Sequence, residues 1–449
     1  MMTSPLTFRP ATRASQQGFT LTELMSSLTA GLFIAGAVVS ISRSASETFH
    51  EEGRTLTAQN GSRQAMEQIS LDLMRAGYMS TANIQADPFI AKPPGIPIND
   101  VIPGQYLGLR RLAGVHLFVG GSKAATEPQS TYAGLNPDKI ELGGNFTTAD
   151  QYAVREIAAT VDGCQRIWLQ ADSPAMWRLT ATTAGIDATL LINAFKPGPT
   201  ASTRQFMVRI QDDTGRYQYA PTCGTSTAVG IIGGFPYVDV AQNSYSVGVL
   251  TAVQAGTAGG SSGYGSGMLI NPVQIVRWTI TNAPPANSVA AMTPTADASK
   301  FYLLREVIDA LGATDASTTQ VVTEYPVDLK FALTVETGDV TATNTAHSIF
   351  PFEDTANALW SYDVSGTGPS STGPQRIRAV RVRFATRAPL PDREAAIAVT
   401  PTGPEGQRFM HRYCTASAVA KCSDGSRSYA RVRTLTNEIA LSNQSRWFY

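Results

Sequence analysis

The chain is poor in the residue types that build catalytic and metal centres. Its 449 residues include only four histidines and four cysteines. The histidines are His50, His116, His347 and His411. None of them has a second ligand at metal-binding spacing, and no two cysteines form a CxxC pair. We therefore expect each histidine to be an ordinary core or surface residue, and the sequence predicts no metal site.

The chain also lacks an excess of either charge. Its 35 acidic residues balance 35 basic ones, so the overall charge gives no reason to expect binding to nucleic acid or to an acidic membrane surface. Hydrophobic residues make up 43% of the sequence. A chain of this length and composition is able to bury a sizeable core and to form more than one lobe.

Two short motifs match functional patterns but lack the required context. The run "GGSSG" at 259–263 fits GxSxG, yet a nucleophile elbow needs an apolar strand before the serine and a helix after it. The run "QDDTGR" at 211–216 lacks the alternating acids and final glutamate of an EF-hand, and a β-hairpin turn is the better interpretation. Without a catalytic constellation, we expect a protein that is not an enzyme and uses no cofactor.

The four cysteines lie well beyond the amino-terminal apolar run, at Cys164, Cys223, Cys414 and Cys422. Four cysteines allow three pairings. We expect the two sequence-nearest pairs, Cys164–Cys223 and Cys414–Cys422, because the last two bracket the short loop "TASAVAK". This placement suits disulfides in an oxidising compartment, and free thiols in a cytosolic protein are the alternative.

Proline is absent from Phe19 to Gly77, and this stretch begins with an apolar run. Between Phe19 and Ile41 the only charged residue is Glu23. These 23 residues are enough for one helical crossing of about 30 Å of hydrocarbon. The leader before them carries arginines and no acid, which predicts a cytoplasmic amino end with the rest of the chain across the membrane. A secretory signal peptide is the rival interpretation, but the run is longer than usual and has no clear cleavage site.

The helical pattern continues beyond the apolar run and becomes amphipathic. Apolar residues recur at spacings of three, four and seven. They are Ala45, Phe49, Leu56, Met66, Ile69 and Leu73. An unbroken helix would reach Gly77, with its first half in lipid and its second half against a globular domain. Gly53 and Gly61 each weaken it by about 1 kcal/mol relative to alanine, so bending is expected there.

Glu23 is unusual because an acid near the bilayer centre costs about 3 kcal/mol on insertion scales. Such a residue generally has a partner. A cut between Gly18 and Phe19 would create an α-amine that is positively charged at neutral pH. That amine, from the same chain or from a staggered neighbouring helix, would compensate the carboxylate. The apolar helix would then be an assembly device.

The run "GFTLTELM" resembles the type III signal of type IV prepilins and type II secretion pseudopilins. In that family a prepilin peptidase cuts after the glycine, here Gly18, and N-methylates the new first residue, here Phe19. Glu23 then stands at the position of the glutamate that recruits a subunit into the filament and sets its register. The resemblance implies insertion in the bacterial inner membrane before assembly.

Three further runs resemble PilW-type minor pilins. "MEQISLDLMRAGYMS" at 66–80 is similar to the end of the long helix in that family. "IRAVRVRFATRAP" at 377–389 and "YARVRTLTNEIALSNQ" at 429–444 are similar to its paired terminal strands. The resemblance implies a pilin-like α+β fold with a long amino-terminal helix packed on an enlarged, antiparallel β-rich head.

The middle of the chain is predicted to consist of strands and loops. Strands are expected at "KIELGG", "RIWLQ", "QFMVRIQ", "SYSVGVLTAV", "QIVRWTIT", "FYLLREV" and "PVDLKFALTV". The run "RIRAVRVRF" alternates apolar residues with an arginine stripe, which we interpret as a solvated sheet face. That stripe consists of Arg376, Arg378, Arg381 and Arg383. Flexible loops are predicted near 255–267 and 365–375. The expected domains are a leader at 1–18, a membrane or filament-core helix at 19–42, an amphipathic half at 43–78 and a periplasmic head at 79–449.

The resemblance implies a minor pilin that joins other minor pilins in a complex priming or capping a type IV pilus. Its expected partners are the prepilin peptidase, other minor pilins, the major pilin and the inner-membrane assembly platform, with no nucleic acid. The final location would be the pilus, at its tip. Two alternatives stay open: a minor pseudopilin of a type II secretion system, and a tip adhesin whose head binds a ligand.

Overall fold

The computed structural model describes most of the chain after residue 18. The described residues are 19–91, 97–120, 137–160, 162, 164–182, 185–198, 202–212, 215–241, 263–264, 267–282, 300–314, 316–337, 346–350, 352, 373–389, 410–412 and 429–444. They form an α+β structure with an amino-terminal helix and a large antiparallel β-rich domain. The chain divides into two compact units, residues 1–54 and 55–449. We call the β-rich part of the second unit the head.

One long helix dominates the amino-terminal region, as the proline-free stretch predicts. Helix α1 runs over Leu21–Arg75. The predicted apolar stripe is correct only in its second half, where Met66, Ile69 and Leu73 are buried. Phe49 remains 75% exposed. The helical period defines an apolar face, but it does not show at which residue this face starts to be covered by other parts of the protein.

The remaining helices are short. They are α2 (Ile98–Val101), α3 (Leu107–Arg110), α4 (Pro174–Trp177) and α5 (Ala188–Phe195), with a 3-10 helix at Pro374–Arg376. The capping explains where two of them begin. Ser173 accepts a hydrogen bond from the Met176 N–H at 3.3 Å, and Asp187 accepts one from the Thr189 N–H at 2.7 Å. These side chains satisfy amides that the first turn leaves without helical partners.

The described part of the chain contains nineteen strands. They are β1 (Val115–Phe118), β2 (Lys139–Gly144), β3 (Tyr152–Ala159), β4 (Cys164–Leu169), β5 (Thr180–Thr182), β6 (Gly185–Ile186), β7 (Met207–Gln211), β8 (Tyr217–Pro221), β9 (Val229–Ile232), β10 (Phe235–Ala241), β11 (Gly263–Tyr264), β12 (Leu269–Thr281), β13 (Tyr302–Ile308), β14 (Gln320–Glu324), β15 (Pro326–Thr337), β16 (Ala346–Phe350), β17 (Ile377–Arg387), β18 (Met410–Arg412) and β19 (Tyr429–Ala440). The predicted strand at "SYSVGVLTAV" lies outside the described residues, and the other predicted strands are present.

The strands pair antiparallel in two main sheets. The larger has twelve strands in the order β1-β2-β12-β3-β4-β10-β9, with the other five attached to this path. The long strand β12 organises it, because its first residues pair with β3 and β7 and its later residues pair with β2 and β13. The second sheet has the order β16-β15-β17-β19-β18. Its β17–β19 pairing joins the two sequence runs that were expected to be partners.

The second half of α1 lies in the core formed with the five-stranded sheet and the β12–β13 region. Leu329, Phe331, Leu333 and Val335 of β15 are buried in this core, as their alternation predicts. Aromatic and aliphatic burial of this kind contributes about 1.5–3 kcal/mol per side chain. A separate core lies between α5 and the strands β3, β4, β7, β9 and β10. We call this second region the α5 lobe.

A disulfide joins Cys164 at the start of β4 to Cys223 just after β8. Their Cα atoms are 6.5 Å apart. This is one of the two pairings expected from the sequence. The other pair, Cys414 and Cys422, lies outside the described residues.

Two short segments within the predicted flexible loops have regular secondary structure. Gly263–Tyr264 forms β11 and pairs with β3. Pro374–Arg376 forms the 3-10 helix, and Gln375 is buried there. Residues 365–372 of one predicted loop, and residues 255–262 and 265–266 of the other, lie outside the described residues.

Candidate functional site

The first feature of functional interest is the apolar surface of the amino-terminal helix. The stretch Leu21–His50 is long enough and apolar enough to cross a membrane, and no residue of its most apolar window is buried. Phe33 is 81% exposed. Its 30 residues span about 45 Å at 1.5 Å per residue, which exceeds the roughly 30 Å of a bilayer core. An uncovered apolar surface of this extent requires lipid or other protein chains around it.

Glu23 and Thr20 form a capping box at the start of α1. The Glu23 carboxylate accepts hydrogen bonds from the Thr20 N–H at 3.1 Å and from the Thr20 hydroxyl at 2.8 Å. In return, the Glu23 N–H donates to Thr20 Oγ1 at 3.3 Å. Each side chain thus satisfies an amide that the first helical turn would otherwise leave without a partner. Glu23 therefore has a local structural role beside any role in assembly.

Thr20 is a residue that the sequence reasoning missed. The spacing T-x-x-E at Thr20–Glu23, immediately before an apolar helix, is the sequence pattern of a capping box. Phe19, the expected first residue after cleavage, is 83% exposed next to this box. Gly18, the expected cleavage residue, lies outside the described residues. Phe19 and Thr20 thus directly precede α1, and Glu23 lies in its first turn.

The second half of α1 is anchored to the head by a buried carboxylate. Asp72 accepts from Arg305 twice, Nε at 2.8 Å and Nη2 at 3.1 Å. It also accepts from the indole Nε1 of Trp278 at 3.0 Å. Trp278 is fully buried, and its N–H needs an acceptor. Asp72 thereby fixes α1 to two neighbouring strands, β12 and β13.

The residues that follow Asp72 end the helix and turn the chain into the head. Gly77 adopts a left-handed conformation with φ of 74°, which glycine tolerates best. Its N–H donates to the Gly143 carbonyl at 2.8 Å. Met79 also has positive φ, at 49°, and its carbonyl accepts from Asn271 Nδ2 at 2.9 Å. The run "DLMRAGYMS" therefore contains both the Asp72 anchor and the turn that follows α1.

The arginine stripe of β17 is not a free basic surface, which corrects the expectation of a solvated face. Arg383 donates to Asp328 at 2.9 Å, and Arg381 donates to Glu438 at 3.0 Å. Arg378 forms a salt bridge with Glu336. Arg376 and Arg383 are buried rather than solvated. Carboxylates neutralise three of the four arginines, so the stripe offers little to an acidic ligand.

The loop after α1 contains a buried carboxylate, Asp87. It accepts a hydrogen bond from the Tyr217 hydroxyl and another from the Phe89 N–H at 2.9 Å. Burial raises the pKa of Asp87, and the hydrogen bonds and the nearby Arg209 guanidinium oppose that rise. Asp87 ties the loop to β8, where Phe89 and Tyr217 also stack at 6.5 Å between ring centroids.

The remaining sequence motifs do not form a chemical site in the part of the chain that the structure describes. No group of three His, Cys, Asp or Glu residues that could hold a metal ion occurs among the described residues. Strands β7 and β8, on either side of residues 212–216, pair antiparallel as a hairpin, in agreement with the sequence interpretation. The Arg216 N–H donates to Asp212 Oδ1 at 2.8 Å across this turn. The residues of "GGSSG" before Gly263 lie outside the described residues.

Comparisons with known proteins add no family assignment. No protein-family model matches the chain. No curated protein and no solved structure matches it either. The functional interpretation therefore depends on the residues and contacts of α1 and the head.

Proposed function

We propose that this chain is a PilW-like minor pilin, a structural subunit that takes part in type IV pilus assembly. The observation that carries the proposal is the pattern at the start of α1. Gly18 and Phe19 precede a helix of membrane-spanning length, and Glu23 is the only acid between Phe19 and Ile41. The uncovered apolar surface of Leu21–His50 supports an assembly role, because such a helix needs lipid before assembly and protein neighbours afterwards.

Glu23 would provide the register for assembly. Cleavage after Gly18 would leave a charged amine on Phe19, one residue before the Thr20–Glu23 capping box. In an apolar environment an unpaired carboxylate is costly. A neighbouring subunit that places its amine beside Glu23 would lower that cost at one axial position only. The helix would then exchange lipid contacts for protein contacts at a defined stagger.

The head supports the PilW-like subtype over a type II secretion pseudopilin. The two sequence runs that resemble the terminal strands of PilW-type proteins pair along their length as β17 and β19. The run that resembles the end of the PilW helix contains the Asp72 anchor. In the proposed role the head would bind other minor pilins, without catalysis and without a cofactor.

The proposed partners follow from the steps of pilin processing and assembly. A prepilin peptidase would process the chain in the inner membrane, with the head in the periplasm. The inner-membrane assembly platform would then bring it together with other minor pilins and the major pilin. Its final place would be the pilus, at the tip complex.

The experiment that tests the proposal is the intact mass and amino-terminal sequence of the membrane-extracted protein. Cells with and without their prepilin peptidase are compared. We expect a chain that begins at methylated Phe19 only when the peptidase is present. The variant Gly18→Ala should remain uncut in both strains, and it serves as a matched control.

Two results would contradict the proposal. One is a chain that keeps its leader in the presence of the peptidase. The other is a chain cut well downstream, near Ser42, which would identify the apolar run as a secretory signal. If processing occurs as expected, pull-down of neighbouring pilins rather than secretion components would support the PilW-like subtype.

A further inference from the structure

The four residues after β19, Leu441–Gln444, lie against the end of α1, and we call them the closing segment. The Leu441 N–H donates to the Arg378 carbonyl at 2.8 Å, and the Gln444 N–H donates to the Leu441 carbonyl at 3.0 Å. Leu441 is 1% exposed and Gln444 is fully buried. A polar side chain that is buried so completely needs partners for its amide.

Gln444 occupies a socket between the two main sheets. With its amide oxygen facing β1, it accepts from the Val115 N–H at 3.2 Å. Its amide nitrogen then donates to the carbonyls of Ile377 at 3.1 Å and Pro374 at 3.3 Å. Val115 belongs to the twelve-stranded sheet, whereas Ile377 begins β17 of the five-stranded sheet. One side chain thus links the two sheets.

Two glycines make room for this side chain. A Cβ atom on Gly114 would overlap the Gln444 amide, and one on Gly77 would lie 3.2 Å from Gln444 Cγ. Gly77 is the left-handed residue that follows α1. The socket therefore depends on the absence of side chains at two positions far apart in sequence, and one of these positions is the exit of the helix.

The neighbouring residues contact α1 itself. Asn443 Nδ2 donates to the Met74 carbonyl at 2.7 Å. This carbonyl lies in the last turn of α1, whose acceptors have no helical donors. Within β19, Asn437 Nδ2 donates a hydrogen bond to Ser70 Oγ of α1 at 3.0 Å. The closing segment and β19 thus cap and line the carboxyl end of the helix.

We propose that the closing segment is a strap that controls the docking of the end of α1. When it opens, the last turn of the helix, residues 73–76, loses its cap and frays as far as the Asp72 anchor, while the α5 lobe stays folded. The strap and the end of α1 share one core, because Leu441 belongs to the same buried cluster as Ile69 and Leu73, whereas the α5 lobe has its own core. This inference concerns the second compact unit and does not depend on a role in filaments.

The test is amide hydrogen exchange of the full-length protein in detergent, measured by mass spectrometry. The variant Gln444→Met keeps the length of the side chain and removes its amide. We expect exchange at residues 73–77 to rise about tenfold or more, because the three buried backbone groups that hold the strap through Gln444 lose their partner. Peptides from β4 and β10 in the α5 lobe should keep their wild-type rates.

Glu438→Gln is the matched control on β19. Glu438 is half-exposed and pairs with Arg381 on the surface, so its loss should leave exchange of α1 unchanged. If Gln444→Met gives no folded protein, Asn443→Ala replaces it, with an expected rise of a few fold confined to the last helical turn. Unchanged exchange of α1, or an equal rise in β4 and β10, would overturn the proposal.

Discussion

The clearest energetic prediction concerns the Asp72 anchor. Asp72→Ala removes both hydrogen bonds to Arg305 and the acceptor for the buried Trp278 N–H. The Arg305 side chain is 18% exposed, so its charge would be left mostly desolvated. Removing one partner of a buried ion pair costs about 3–5 kcal/mol. An orphaned N–H adds about 1–3 kcal/mol, not fully additively. We expect a loss of about 4 kcal/mol.

The conservative variant separates charge from geometry. Asp72→Asn keeps the size of the side chain and one acceptor oxygen, so we expect about half of that loss. Urea unfolding of the full-length protein in detergent, followed by far-UV circular dichroism, measures both losses. The control is Glu67→Ala on the exposed face of the same helix, with an expected change within about 0.5 kcal/mol.

A double-mutant cycle tests whether the effect belongs to the pair. Asp72→Ala combined with Arg305→Met should show a coupling energy of about 1.5–3 kcal/mol, since each change removes the same interaction. The reasoning is refuted if Asp72→Ala costs no more than Glu67→Ala. It is also refuted if the two losses simply add, because the carboxylate would then stabilise α1 independently of Arg305.

Three further predictions concern separate parts of the chain. Glu23→Ala should leave cleavage intact but reduce the protein in sheared filaments, and wild-type abundance there would contradict the register role. Replacing Cys164 and Cys223 by alanine should lower the free energy of unfolding by about 4 kcal/mol, from the entropy of a loop whose ends are 59 residues apart. Urea unfolding measures this loss, and added reductant should destabilise the wild type more than the double variant. Asp87 has a raised pKa in the folded state, so the native state binds its proton first as the pH falls. Relative to Asp87→Asn, the wild type should therefore gain stability on acidification from neutral pH towards the ordinary carboxyl range. Parallel stability curves for the two proteins would show that Asp87 does not titrate as described.

The helix and many strands were predictable because their signals are local. The absence of proline from Phe19 to Gly77 predicts α1, which ends two residues before that glycine. Alternation in "PVDLKFALTV" predicts β15 and its buried face. The capping box was also readable from T-x-x-E, since it requires only two residues three positions apart.

The contacts that fix the helix were not predictable in this way. Arg305 is 233 positions from Asp72. Asn83 Nδ2 donates a hydrogen bond at 2.9 Å to Gln375 Oε1, which is 292 positions away. No periodicity reports such pairings. The arginine stripe illustrates the same limit, because alternation shows that Arg383 leaves the apolar face but not that Asp328 meets it in a buried pair.

The two roles of Glu23 can be weighed against each other. A capping box stabilises the helix start through hydrogen bonds to its first amides, whereas moving an acid from water into hydrocarbon is unfavourable, though less so near an end of the helix. Both hydrogen bonds from Thr20 go to one oxygen of the Glu23 carboxylate, so its charge stays uncompensated when Glu23 enters an apolar environment. A neighbouring amine adds a charge-assisted interaction that Thr20 does not provide. In the proposed assembly the capping box would hold the carboxylate at the helix start, and its charge would favour a positively charged amine as partner.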